Sequence, residues 1–83
     1  LGADLHGQDL SRHDLRGALL IAANLRGCRF NHTDLLGSDL RDADLSGADL
    51  AGALFLTTPQ VGAARGDAST RLPDHVSRPA WWS

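Results

Sequence analysis

A large apolar side chain falls on every fifth residue, and no single straight element can bury such a series. The stops are Leu5, Leu10, Leu15, Leu20, Leu25, Phe30, Leu35, Leu40, Leu45, Leu50 and Phe55. On an α-helix a step of five advances about 500°, so successive stops land roughly 140° apart and spread around the cylinder. In a strand, side chains alternate between faces, so an odd spacing throws each leucine to the opposite side. Glycine stands two residues after the stop in six of the eleven units. Each would cost a continuous helix about 1 kcal/mol relative to alanine.

The spacing works if the backbone turns a corner in every unit. Four units then close a square coil of about twenty residues, with each large side chain pointing at a common axis. Coils stacked roughly 4.8 Å apart would pair their backbone groups as a sheet does. The residue two before each stop is small in nearly every unit (Ala3, Ala18, Ala23, Cys28, Ser38, Ala43), with Gln8 and His13 as departures. The residue just before the stop is Asp in seven units and Asn24 in an eighth. An Asp there suits local backbone donors at a corner. Repeats of this kind cannot hide their apolar side alone, so stacking has to precede stability.

Three units, Ala3-Asp4-Leu5-His6-Gly7, Ala43-Asp44-Leu45-Ser46-Gly47 and Ala48-Asp49-Leu50-Ala51-Gly52, carry a family resemblance. They resemble the pentapeptide repeat family, whose motif is A-(D/N)-L-x-x. The resemblance implies an all-β fold, a right-handed quadrilateral β-helix (a solenoid) of about two and three-quarter coils, with the Leu/Phe and the small residue inside. Leu19, Arg29 and Leu54 depart from the motif at the Asp position. Some members of that family bind DNA gyrase or topoisomerase IV by imitating the shape and charge of a duplex. Here Arg29 interrupts the acidic column Asp9, Arg29, Asp49, and the net charge is only −2. A DNA-mimicking binder is therefore the alternative, behind a non-enzymatic structural or interaction module.

The array is expected to occupy residues 1–57, and a C-terminal cap residues 58–83. Within the cap, Thr58-Pro59 reads as an N-cap followed by proline at the first helical position. A short helix is expected over residues 59–65, with Gly66 as its stop. Val61 and Ala64 would then face the last coil. An open solenoid end exposes core and unpaired backbone, so a cap is required. The remainder, Leu72-Pro73, Arg78-Pro79 and Trp81-Trp82, reads as an extended, proline-stiffened segment with apolar anchors. This tail is similar to C-terminal segments that follow pentapeptide arrays in bacterial proteins of unassigned role. Leu36 and Leu56 would share one outward position beside Leu54, and Leu19 and Ile21 form a smaller outward pair. The expected cover for Leu36, Leu54 and Leu56 is the tail itself, with Trp81 and Trp82 lying along the wall or in a subunit contact.

Composition narrows the function without naming it. The chain has 83 residues, one domain, with a single cysteine and no lysine. A chain that starts at leucine and lacks methionine reads as a fragment or processed piece, with room for further coils upstream. It is not basic enough for nucleic acid, and these 83 residues show neither a signal peptide, which a lost N-terminus would hide, nor a bilayer-length apolar run. A cytoplasmic protein, partnered by another protein or a second copy of itself, is expected. His6, His13, His32 and His75 fall on different columns or in the tail, so no metal and no cofactor is expected. Ser11, His13 and Asp14 are neighbours in sequence but lack a pocket, and no catalytic residue is assigned. Cys28 sits in an inward position where burial keeps a thiol inert. Arg65-Gly66-Asp67 spells an adhesive tripeptide, but three residues match easily by accident.

Overall fold

The computed structural model describes residues 2–82, so the outer ends of the two expected segments, residues 1 and 83, lie outside the described residues. The backbone returns over itself every twenty residues, through parallel bridges that each join one residue to the next layer. One ladder runs Asp4, Asn24, Asp44, Arg65, and a second Asp9, Arg29, Asp49, Arg71. A third runs Asp14, Asp34, Leu54, and the last joins only Leu19 to Asp39. The bridges are isolated rungs, and no continuous strand forms among the described residues. The result is a β-helix-like stack in which each side is too short to be more than a rung.

A left-handed backbone residue makes every corner from Gly7 to Gly47, and Gly52 at the next one is not left-handed. Gly7, Gly17, Gly27, Gly37 and Gly47 hold φ between 65° and 72°. Arg12, Ala22, His32 and Asp42 occupy the same position in the intervening units, with φ from 58° to 64°. Glycine accepts this conformation freely, whereas a side chain there costs about 1–2 kcal/mol. The acidic residue completes the turn: its Oδ1 accepts from the N–H two residues on, as Asp34 does from Leu36 at 3.0 Å and Asp49 from Ala51 at 3.1 Å. That matches the expectation for Asp at a corner.

Large and small residues share the interior. Leu25, Phe30, Leu35, Leu45 and Leu50 are at most 1% exposed, and Ala23, Cys28, Thr33, Ala43 and Ala48 are equally hidden. Polar atoms inside the array are paired across layers: the Thr33 hydroxyl donates to Leu10 O at 2.7 Å and the Cys28 thiol to Leu5 O at 3.0 Å. In the first layer Leu5 and Leu15 are half-buried, and Gln8 and His13 are exposed.

The frame breaks at its last stop. Phe55, expected inside, is 59% exposed with φ of 62°, while Leu56, expected outside, is 1% exposed. The left-handed backbone position falls on Phe55, two residues before the frame would place it at Thr57, as the chain enters a helix. That helix, α1, spans Thr58–Gly62, correcting the expected 59–65. Its N-cap is Thr57, in a capping box with Gln60: the Gln60 side chain accepts from Thr57 N–H at 2.8 Å, and Gln60 N–H donates to Thr57 Oγ1. Gly66 is not a helix stop either; by then Arg65 has already rejoined the ladder on Asp44. Val61 and Ala64 are buried.

After α1 the chain resumes the layer. Ala64, Arg65 and Gly66 take the small, bridging and large positions, and Thr70, Arg71 and Leu72 do so again. The Thr70 hydroxyl donates to Leu45 O at 2.8 Å, as Thr33 does to Leu10. At Gly66 the large side chain is missing, and the Trp82 ring supplies it: a Cβ on Gly66 would lie 2.7 Å from that ring. The last segment is strapped down by polar contacts. His75 Nε2 donates to Leu56 O at 2.8 Å, and Arg78 donates to the carbonyls of Asp67 and Thr70.

Candidate functional site

A filled interior leaves chemistry only on the outer walls. There, charged groups are arranged mainly as local pairs. Arg16 donates through Nε and Nη2 to the two oxygens of Asp14 at 2.9 Å each, and also approaches Asp34 at 3.7 Å. Arg41 holds Asp39 the same way, at 2.7 Å for the closest contact. Those guanidinium hydrogen bonds hold the Asp14 and Asp39 carboxyls below the usual range. On the second ladder Arg29 sits between Asp9 and Asp49, and Arg71 reaches Asp49 at 3.4 Å. The acidic positions are thus broken up by arginine rather than aligned into one negative face.

The apolar residues marked by the sequence are not gathered under the tail. Leu36 is 54% exposed and Leu54 is 39% exposed, so the expected cover is absent from both. Leu56 is inside because the frame slips at Phe55, and Phe55 takes its place at the surface. The two tryptophans also part company: Trp82 is buried against Gly66, and Trp81 stands 69% exposed. One ring fills the space of a missing core side chain; where an extended segment was expected, a tight turn closed by Trp82 N–H on Pro79 O at 3.1 Å leaves its neighbour outside. Leu54 bridges Asp34, so Leu36, Leu54 and Phe55 lie on one side of the stack. Of the outward pair expected on the adjoining side, Leu19 is 72% exposed and Ile21 is half-buried.

The reactive-looking residues are engaged or scattered. Asp67 Oδ1 accepts from Ser69 N–H and hydroxyl, at 2.9 and 2.6 Å, and from Gly47 N–H at 3.4 Å. With its Asp occupied and its Gly pressed on Trp82, the Arg65-Gly66-Asp67 tripeptide is part of the fold. Ser11 Oγ accepts from Asn31 N–H, and His13 Nδ1 faces Ser11 O, so Ser11, His13 and Asp14 do not converge. Burial pushes the Cys28 thiol up. Among the described residues no three His, Cys, Asp or Glu side chains gather where a metal ion could sit. No helix among them is long and apolar enough to cross a membrane.

Phe55 as a surface residue escaped the five-residue frame. The signal available was Thr57-Thr58-Pro59-Gln60, a capping-box spacing that starts a helix two residues after the stop.

No curated protein and no solved structure matches the chain. The model for pentapeptide repeats (8 copies) matches residues 2–35 and again 18–55, together more than half of the sequence. Array, corner geometry and family model agree, and the chain belongs to the pentapeptide repeat family.

Proposed function

We propose that this chain is a non-enzymatic interaction module of a bacterial cytoplasmic protein. Its array is a right-handed quadrilateral β-helix, a solenoid whose outer wall engages another protein or a second copy of the chain. The observation that carries the reading is the apolar set Leu36, Leu54 and Phe55, uncovered on one wall although the tail has already docked. Exposed apolar residues grouped on an otherwise polar wall mark contact surfaces more often than they mark accidents. Trp81 extends the same character to the tail. The interior supports the same reading, because it is filled with side chains and offers no cleft for a substrate. The arginine-divided acidic ladders speak against imitation of a DNA duplex.

Sedimentation of the unmodified chain and of the double substitution Leu36→Glu with Phe55→Glu tests this. The module reading expects concentration-dependent association or poor solubility in the first and a soluble monomer in the second. Identical monomers of identical solubility would refute it.

A further inference from the structure

Along the second ladder each layer passes its open edge to the next, and the last passes it to a side chain. The carbonyl at the small position takes an N–H from the layer above: Gln8 O from Arg29, Cys28 O from Asp49 and Ala48 O from Arg71, at 3.0, 2.9 and 2.9 Å. The next carbonyl in that series is Thr70 O, and no backbone N–H among the described residues reaches it. Arg78 Nη2 donates there instead, while its Nη1 donates to Asp67 O at 2.8 Å. The guanidinium therefore stands where a further layer would place a peptide N–H. A planar fork suits that substitution, since it offers N–H donors in fixed geometry and no acceptor.

The rest of this edge is unpaired. Gly66 and Leu72 N–H have no acceptor among the described residues, although their counterparts one layer down, Leu45 and Leu50, donate to Arg65 O and Arg71 O at 2.7 Å each. Ala64 O likewise receives no N–H among them, whereas Ala43 O takes that of Arg65 at 2.7 Å. What lies over the edge is the tail. Pro73, Val76, Pro79 and Trp82 are buried at every third residue, with turns closed by Val76 N–H on Pro73 O and Trp82 N–H on Pro79 O. Proline at 73 and 79 has no N–H, so the segment covers the edge without extending it. The Trp82 ring packs on Gly66, and its indole N–H finds no acceptor among the described residues. The ring thus contributes cover and no polar bond.

We propose that the tail is a guard on the end of the ladder: Arg78 occupies Thr70 O and Trp82 lies on Gly66, so that a second copy of the chain cannot add its own edge to the last layer. An edge of this kind is self-complementary, because Ala64 O and Thr70 O of one copy can meet the Gly66 and Leu72 N–H groups of another. Arg65 and Arg71, exposed on the last layer, oppose the same event by charge, since two copies would bring them face to face. This end of the stack is separate from the wall at Leu36 and Phe55, and the guard does not depend on the interaction-module reading.

The test starts from the full chain carrying Leu36→Glu and Phe55→Glu, which silences the wall. Sedimentation velocity compares it with the same chain carrying Arg78→Ala and Trp82→Ala as well. The guarded chain should stay a monomer at every concentration. The opened one should shift to a dimer and larger species, more strongly as salt is added, with slowed amide exchange at Gly66 and Leu72. Trp82→Phe, which keeps a ring and drops the idle indole N–H, should leave the monomer unchanged. A monomeric opened chain would overturn the guard, as would association that leaves the Gly66 and Leu72 amides exchanging as before. Should the double opening substitution not fold, Arg78→Ala alone decides by the same two readouts. Association of the Leu36→Glu, Phe55→Glu chain by itself would count against the wall, and exchange at Gly66 and Leu72 would still decide the guard.

Discussion

Residues 2–54 and residues 55–82 sit on the same ladders but meet their demands with different groups. In the array each unit supplies its own corner, its own rung and its own large side chain, so any layer resembles the one beneath it. In the tail these parts arrive separately. Gln60 replaces backbone donors, Thr70 repeats the hydroxyl of Thr33, and Trp82 fills the position left empty at Gly66. A repeat can add layers indefinitely, but it cannot end itself, because every layer presents an unpaired edge. Ending it takes residues that do not repeat. The tail closes the ladder at Asp44 and Asp49, while α1 stands above Asp39 and the Gly37 and Leu40 N–H groups there find no acceptor among the described residues.

The sharpest test of that contrast is the array's own core. Phe30→Ala removes a ring that is 1% exposed and should cost about 3–5 kcal/mol, read from the urea midpoint by far-UV circular dichroism. In a chain this short that approaches the whole stability, so array and tail should be lost in one transition. A two-step curve would mean that the tail is held independently of the layers.

Gly66→Ala comes next, at about 1–3 kcal/mol, because the added methyl meets the Trp82 ring rather than open space. The penalty should largely vanish in the background of Trp82→Leu, and the double-mutant cycle measures the coupling. A full penalty in both backgrounds would sever the link between Gly66 and Trp82.

A smaller and more symmetrical comparison pairs Thr33→Val with Thr70→Val. Each removes a buried hydroxyl that donates to a carbonyl of the layer below, and each should cost about 1 kcal/mol in thermal unfolding. If Thr70→Val proves neutral while Thr33→Val does not, the tail is a cover and not a true layer.

The smallest effect has the opposite sign. Ala22 occupies a left-handed corner with φ of 58°, so Ala22→Gly should stabilise by about 0.5–1 kcal/mol once the added freedom of the unfolded chain is deducted. A lower melting temperature would show that the corner is held by side-chain packing instead.

Much of the fold was legible because the repeat writes the same instruction in every unit. Leu25, Phe30, Leu35, Leu45 and Leu50 had to share an axis, and the acidic residue had to serve the corner; both follow from spacing and hydrogen-bonding capacity. The breakdown at Phe55 was legible only in part. Thr57 and Gln60 stand at capping-box spacing, but the five-residue frame and the helix start compete for the same residues, and the helix start prevails. The candidate wall was misread for the same reason, since one residue of slip exchanges Leu56 for Phe55 at the surface. Trp81 and Trp82 are identical in kind and adjacent, so composition could not tell which ring would be buried.

Period and chemistry by themselves therefore determined the twenty-residue return, the filled interior and the polar corners, because these are properties of each unit and its copies. Only the folded chain decided where the repeat stops, which ring replaces the side chain missing at Gly66, and which two donors stay open beside α1. Those outcomes depend on contacts between residues with no fixed spacing. They are settled by which groups can reach one another once the layers have stacked.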